Sequence, residues 1–238
     1  EKGHQQWATR QLSADILSQL QGGFDYYGGQ VNSMLNLDFD TRAEYIGDNY
    51  SDVYEKNYGN NHVDGPHGDH GTHVSGIIAA VRDNNLGIKG IAEDVKIMCI
   101  RTVPNGDERD KDVANSVIYA VDNGAKVINM SFGKGYSPYK EAVDKAFKYA
   151  EEHGVIVVHA AGNDSKDNDS KPSFPSKYYL DGKACSTWIE VGASSSSMEA
   201  GDFVGSFSNY GKKSVDIFAP GVAIHSTVPG NEYDTYNG

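Results

Sequence analysis

Apolar positions form two kinds of pattern along the chain, and each predicts one type of element. Short Val/Ile-rich runs without strict polar alternation predict strands buried on both faces, and they span 95–101, 127–132, 155–160, 188–193 and 215–219. Apolar residues at helical spacing predict helices over 109–123 and 138–152. Because helices alternate with strands, we expect a three-layer α/β fold with a mainly parallel central sheet flanked by helices.

Signals at the ends of elements are clear in the body of the chain and weak in its first 60 residues. Ser137 is the predicted N-cap of the helix over 138–152, and Gly154 follows its end. Near the start, Leu12, Ile16 and Leu20 recur at every fourth position and predict a helix that ends near Gly22. Residues 38–69, rich in Asp, Asn, Gly and Tyr, are predicted to be loop.

Composition narrows the class of protein. The chain has 238 residues, of which 38% are hydrophobic, and this suits one large globular domain. Its net charge of −12 disfavours nucleic acid and anionic membranes as partners. The apolar runs are too short to cross a bilayer. The two cysteines establish no disulfide framework, and Cys99, within the predicted strand 95–101, is expected to be a buried core thiol.

One histidine stands where a general base would be well supported. His70 opens the segment 70–76 (HGTHVSG), which runs into the apolar stretch 77–81 and predicts a helix with an imidazole on its first turn. A rigid element at the rim of a cleft is the support that proton transfer needs. His70 is therefore a candidate to take a proton from a hydroxyl nucleophile and return it to a leaving amine. Alone, the segment fits a helix-capping histidine equally well.

The strand over 155–160 ends in small residues followed by an amide. Asn163 can donate a hydrogen bond to an oxyanion that forms above the strand end. The small residues before it, Ala160, Ala161 and Gly162, leave a hollow for a substrate side chain. Alone, Gly162-Asn163 is also ordinary turn chemistry.

The strand over 127–132 ends in Ser131, Phe132 and Gly133. The backbone of such a strand end can pair with an extended peptide. Phe132 beside the small residues 160–162 suggests a site for an apolar side chain. Alone, the segment is a weak signal, because most strands of this kind belong only to the core.

Together, these segments resemble the subtilisin-like serine proteases. The matching segments, in the order of that family, are 70–76 (HGTHVSG), 129–133 (NMSFG), 160–163 (AAGN), 218–221 (FAPG), 226–230 (STVPG) and 236–238 (YNG). The resemblance covers residues 61–238 and leaves 1–60 weakly specified. It implies a serine endopeptidase for protein or peptide substrates, secreted or at the cell surface, which acts as a monomer and needs no cofactor for its chemistry.

The resemblance also implies roles for single residues. His70 becomes the general base, Asn163 the oxyanion donor, and 131–133 with 160–162 the walls of the cleft. In the family, Tyr-Asn-Gly is followed by Thr-Ser-Met-Ala, which contains the nucleophile, whereas this chain ends at Gly238. We therefore read the chain as a partial catalytic domain of a longer precursor and expect it to be inactive by itself.

The catalytic aspartate of the family has no good match. It normally ends an apolar strand, whereas the residues before Asp38 and Asp40 are too polar for a buried strand. Arg42 also stands close behind them, where the family has glycine. We expect both carboxylates to be solvated and the true aspartate to lie upstream of Glu1.

Three other interpretations stay open at this stage. Residues 82–88 resemble the calcium loop of the family, in which Asn84 would offer a side-chain oxygen beside backbone carbonyls; a plain turn is the alternative. His67, His70 and His73 are three residues apart and could bind zinc on one helical face, although Gly65, Pro66 and Gly68 argue against a helix there. A protease-shaped scaffold that binds peptides without cutting them is the third.

Overall fold

The computed structural model describes residues 16–17, 20–25, 27–36, 38, 42–65, 67–104, 108–199 and 201–238. The chain forms two compact units. The first consists of 1–59 with 103–107, and the second of 60–102 with 108–238. His70, Asn163 and all the predicted cleft residues belong to the second unit.

The first unit contains short helical segments. Residues 20–25 and 27–29 are helical and are followed by π-helices at Gln30–Met34 and Arg42–Ile46. The predicted helix end near Gly22 is wrong, because the helix continues through the glycines, and Leu20 on its predicted apolar face is exposed. Leu12 lies outside the described residues. The predicted loop over 38–69 is turn, bend or irregular where described, apart from the second π-helix and Asp69, which is helical.

Three helices of the second unit lie close to where periodicity predicts them. They are α1 (Asp69–Ala79), α2 (Asp110–Asp122) and α3 (Lys140–Glu152). The N-cap residue of α3 is Tyr139, so the prediction of Ser137 is wrong. The Ser137 hydroxyl donates instead to the Asp110 carboxylate at 3.0 Å, a tertiary contact that competes with the local cap.

Four strands form one parallel sheet in the order β1 (Val127–Met130), β2 (Ile156–Ala160), β3 (Trp188–Ser194) and β4 (Ile217–Pro220). β5 (Ile224–Val228) and β6 (Glu232–Tyr236) form a separate antiparallel hairpin. The three-layer α/β class is confirmed. The predicted strand over 95–101 is wrong: these residues carry no strand, and Cys99 is exposed rather than a core thiol.

The core lies between the sheet and two of its helices. α2 contributes Val113, Val117 and Val121, and α3 contributes Val143 and Phe147. These side chains pack on sheet residues that point to the same side, namely Met130, Val157 and Trp188. The rings of Phe147 and Trp188 meet edge to face with centroids 4.9 Å apart. No helix in the described part of the chain has the length and apolarity to cross a membrane.

Candidate active site

His70 and His73 lie on the same helix in different environments. His70 is on the first turn of α1 and exposed, whereas His73 is buried. His73 Nε2 lies 3.0 Å from the backbone carbonyl oxygen of Ile224, and its ring stacks on Tyr236 with centroids 4.5 Å apart. His73 is therefore a packed structural residue, and of the two imidazoles that of His70 is accessible to a substrate.

The hairpin β5–β6 holds α1 in place through hydroxyl groups. Ser226 Oγ donates to the carbonyl oxygen of His73 at 2.8 Å, and Thr227 Oγ1 donates to that of Thr72 at 3.1 Å. This approach requires Gly76, since a Cβ there would lie 2.5 Å from Ser226 Oγ. The support of His70 is therefore rigid.

Tyr236 packs beside the start of this helix, and the two residues after it are held by the segment 221–223. Gly238 N donates to the carbonyl oxygen of Gly221 at 2.8 Å, and Asn237 Oδ1 accepts from Ala223 N at 2.8 Å. Burial raises the pKa of the Tyr236 hydroxyl, and the negative charges of Asp69 and Asp234 raise it further. Because Asp69 is the first residue of α1, the end of β6 and the first turn of α1 are electrostatically coupled.

Asn163 lies on the loop that leaves β2, and its side chain is exposed. The loop turns at Gly162, whose φ of +109° is a conformation that favours glycine. A Cβ at Gly162 would also lie 2.4 Å from Asn209 Nδ2. The conformation that presents Asn163 therefore depends on glycine at position 162.

Two buried asparagines hold this loop, and our sequence reasoning missed both. Asn209 Oδ1 accepts from the backbone N–H groups of Asp164 at 2.9 Å and Lys166 at 3.0 Å. Asn209 Nδ2 donates to the carbonyl oxygen of Ala161 at 2.9 Å, and Asn168 Nδ2 donates to the same oxygen at 2.8 Å. Asn209 is 48 residues from Ala161 in sequence, so no local pattern marks it.

Residues 236–238 lie close to Asn163 and to the helix that carries His70. A Cβ placed on Gly238 would lie 3.5 Å from Asn163 Nδ2, and Tyr236 stacks on His73 of the helix that carries His70. Asn163 Nδ2 therefore lies close to Gly238, and the helix that carries His70 contacts Tyr236.

The predicted walls of the cleft lie side by side. β1 and β2 are parallel with Met130 paired to His159, so 131–133 and 160–162 leave neighbouring strands at their carboxyl ends. Ligands of parallel sheets bind at this edge. Ser131 and Phe132 are half-buried, Gly133 is exposed and Ala161 is buried. The Ser131 hydroxyl accepts from Asn129 Nδ2 at 3.0 Å.

A buried aspartate holds the segment that follows residues 131–133, the first wall of the cleft. Asp110 pairs with Lys134 Nζ at 2.8 Å and accepts from Tyr139 N at 2.7 Å, besides its bond to Ser137. Lys134 also exchanges two backbone hydrogen bonds of 2.8 Å with Phe174. Lys134, which directly follows the wall 131–133, is therefore held by partners far away in sequence.

The three histidines predicted as zinc ligands do not share one helical face in the structure. The described residues include no group of three or more His, Cys, Asp or Glu that could hold a metal ion. His67 has a φ of +62° and precedes α1, so it does not continue the helical face of His70 and His73.

The candidate calcium loop is a tight turn. Asn84 Oδ1 accepts from Leu86 N at 3.0 Å, which leaves a second lone pair on this oxygen for a cation. Asn85 and Gly87 both have positive φ, and the Tyr233 side chain packs on Gly87.

The candidate aspartates belong to the first unit. Asp38 is exposed, and its backbone N–H donates to Asn36 Oδ1 at 3.0 Å. Asp40 lies outside the described residues.

A charged surface recess of about 370 Å³ contains none of the predicted site residues. It is lined by Lys148, Glu151, Glu152, Tyr179, Asp181, Lys183 and Ala184. Hydrogen bonds from Ser186 lower the pKa of Glu151, and Lys148 pairs with Asp181 at 2.8 Å. The Glu151, Lys148 and Asp181 side chains are therefore engaged with partners on this part of the surface.

Comparison with known proteins identifies the family. The model of the subtilase family matches residues 28–238. A thermophilic serine proteinase of Bacillus sp. (strain AK1) is 41% identical over 170 residues, which is 71% of this chain and 38% of that protein. Subtilisin E of Bacillus subtilis (strain 168) is 37% identical over 173 residues, which is 71% of this chain and 41% of that protein. The chain thus spans about two fifths of each relative.

Two solved structures with a similar fold are also proteases. An S41 psychrophilic protease is 26% identical with a TM-score of 0.64 and covers 78% of this chain, which in turn covers 62% of that one. A cold-adapted subtilisin-like serine proteinase is 32% identical with a TM-score of 0.57; the shares are 71% and 55%.

Proposed function

This chain belongs to the subtilase family, and from that premise we propose that the protein containing it is a serine endopeptidase that cleaves peptide bonds by acyl transfer. One observation carries the proposal: Asn163 lies close to Gly238, and the helix of His70 contacts Tyr236, so both are beside residues 236–238. Those residues match the start of the family segment that contains the nucleophilic serine.

The proposed chemistry assigns each residue a task. A serine of that segment attacks the scissile carbonyl, and His70 takes its proton and later gives it to the leaving amine. Asn163 donates to the oxyanion that develops on the carbonyl oxygen. Since Asn209 and Asn168 hold the loop from behind, the Asn163 amide needs little reorganisation during the reaction.

The two walls of the cleft, 131–133 and 160–162, bind the substrate in this proposal. Backbone groups of 131–133 pair with an extended peptide, and the hollow beside 160–162 takes an apolar side chain of the substrate residue before the scissile bond (P1). The same proposal makes the protein a monomer, secreted or at the cell surface. Protein or peptide substrates are its partners, and no cofactor takes part in the chemistry.

Turnover of peptides by the full-length protein tests the proposal. We expect hydrolysis of a fluorogenic peptide with an apolar P1 residue and stoichiometric inactivation by a fluorophosphonate, which labels an activated serine. A metal chelator without effect on the chemical step separates this mechanism from a zinc enzyme. Saturable peptide binding without turnover or labelling would overturn the protease proposal in favour of a non-catalytic peptide-binding protein.

We propose further that residues 82–88 bind a structural calcium ion. The support is the resemblance of the loop, the free lone pair of Asn84 Oδ1 and the two positive φ values that turn the loop tightly. Asn84 and neighbouring backbone carbonyls would hold the ion, which would stabilise this turn against unfolding.

Calcium should therefore stabilise the full-length protein against heat. At about 100 times its dissociation constant, calcium binding adds about 2.7 kcal/mol to the free energy of unfolding. The melting temperature should rise with added calcium, but not with sodium chloride at the same ionic strength. The shift should shrink in Asn84→Ala. An unchanged melting temperature would mean that the loop is only a turn.

A further inference from the structure

A buried histidine lies directly beneath the first wall of the cleft. His159, in β2, is 1% exposed, and its Nε2 atom is 2.8 Å from the carbonyl oxygen of Phe132. Its Nδ1 atom is 3.0 Å from both carboxylate oxygens of Glu190 on the neighbouring strand β3. Trp188 Nε1 donates to Glu190 Oε2 at 2.7 Å. The roles given so far to 131–133 and 160–162 use none of these three side chains.

The hydrogen-bond partners determine where the protons are. A carbonyl oxygen only accepts, so Nε2 of His159 must carry a proton and donate to Phe132. One more proton then lies between Nδ1 and Glu190, either on the imidazole or on the carboxyl group. In both arrangements the pair as a whole is neutral, and every polar atom has a partner. The bond to Phe132 is the same in both.

The hydrogen bond from His159 to Phe132 lies where the chain leaves the sheet after β1. Met130 is the last residue of β1 and pairs with His159, and Phe132 lies two residues beyond it. On the other side, the backbone of Lys134 is paired with Phe174. The backbone of the wall is therefore fixed at Phe132 by His159 and at Lys134 by Phe174, with Gly133 between them.

A merely space-filling role does not account for this pair. The surrounding core consists of apolar side chains such as Val157, Phe147 and Trp188. An apolar residue at position 159 would fill the same space without taking an ionisable pair out of water, which is costly. What an apolar residue could not do is donate a hydrogen bond to the Phe132 carbonyl.

We propose that His159, oriented by Glu190, is a positioning residue that sets the backbone of Phe132 and thereby the selectivity of the P1 subsite for large apolar side chains. This inference rests on the proposed protease function. It gives His159 no part in proton transfer to the substrate, because the imidazole is buried and both of its nitrogens are engaged.

A matched pair of substitutions tests the proposal in the full-length protein. Glu190→Gln is the reference, because its amide can donate to Nδ1 of a neutral His159 while its oxygen still accepts from Trp188. In this background, His159→Gln keeps an N–H that can reach the Phe132 carbonyl, and His159→Leu, of similar size, has none. Leucine therefore removes the bond to the Phe132 carbonyl and also the acceptor for the amide at position 190, whereas glutamine has an N–H for the first and an oxygen for the second.

The readout is the ratio of kcat/KM for a peptide with P1 phenylalanine to that for the same peptide with P1 alanine. We expect His159→Leu to lower this ratio about tenfold against the reference, the effect of one lost hydrogen bond, through a higher KM for the phenylalanine peptide. His159→Gln should keep the ratio within about twofold. Equal ratios in the two variants would overturn the proposal while the protease function stands.

A measurement that needs no activity complements the kinetics. Nitrogen-15 NMR of the wild-type protein should show His159 with a protonated Nε2 whose hydrogen exchanges slowly and resonates downfield. An unprotonated Nε2 would overturn the proposal. Should His159→Leu fail to fold, the Gln variant decides: a retained ratio supports the proposal and a lost one refutes it. Absence of turnover in the wild type, by contrast, counts against the protease function itself.

Discussion

Replacing His70 by alanine in the full-length protein should lower kcat by about six orders of magnitude while leaving the fold intact. The scale comes from loss of the triad histidine in a subtilisin, a relative of this chain. The physical reason is that a serine hydroxyl is a poor nucleophile until a base takes its proton, and the leaving amine needs that proton back. His70 is exposed, so alanine there opens no core cavity.

His67→Asn is the matched control. His67 is also exposed and lies three residues away, but it precedes α1 at a positive φ that asparagine tolerates. Its kcat should stay within about twofold of the wild type, as is usual for a surface change. Steady-state kinetics with one peptide, together with the melting temperature of each protein, check the prediction. If His70→Ala kept more than about a hundredth of the wild-type kcat, His70 would not be the general base.

Asn163→Ala should lower kcat by about 10²–10³ and leave KM nearly unchanged. This magnitude is the known cost of removing one oxyanion-hole donor from subtilisin, about 2.7–4 kcal/mol, and is carried over to this relative. The Asn163 amide should bind the oxyanion more strongly than the substrate carbonyl, so its loss affects the transition state and not the ground state.

The neighbouring residue supplies the control for Asn163. Asp164 is exposed, and its side chain pairs with Lys166, whereas its backbone N–H makes the bond to Asn209. Asp164→Ala therefore leaves the loop clamped and should change kcat little. A rise in KM with constant kcat in Asn163→Ala would contradict the assignment, because that pattern marks a residue that binds the substrate and its transition state equally.

Much of the fold could be predicted because its elements are defined locally. The apolar faces of α2 and α3 repeat with the period of a helix, and both helices begin and end within two residues of the prediction. The segment 95–101 shows the limit of such reasoning. Its Val and Ile content favours a strand, but a strand exists only through hydrogen bonds to a neighbour, and in the described chain these residues pair with none.

The site was only partly predictable for a similar reason. His70 and the small residues before Asn163 stand out in the sequence because they are contiguous motifs with an unusual composition. The residues around Ser137 predict a helix cap, but its hydroxyl donates a hydrogen bond to Asp110, which is 27 residues away. The packing of His73 had no signal in the sequence, since its partners Ile224 and Tyr236 are more than 150 residues away.

The amino-acid sequence alone determined the class of the fold, the helix that carries His70, the strand end that carries Asn163, and the family. Periodicity and contiguous motifs record these features because they depend on residues a few positions apart. Tertiary structure alone decided that His73 is structural, that Asn209 clamps the loop of Asn163, and that His159 and Glu190 hold the Phe132 carbonyl. Each of these contacts joins residues 27 or more positions apart. A single sequence carries no local mark of such partners, because chain folding, not spacing, brings them together.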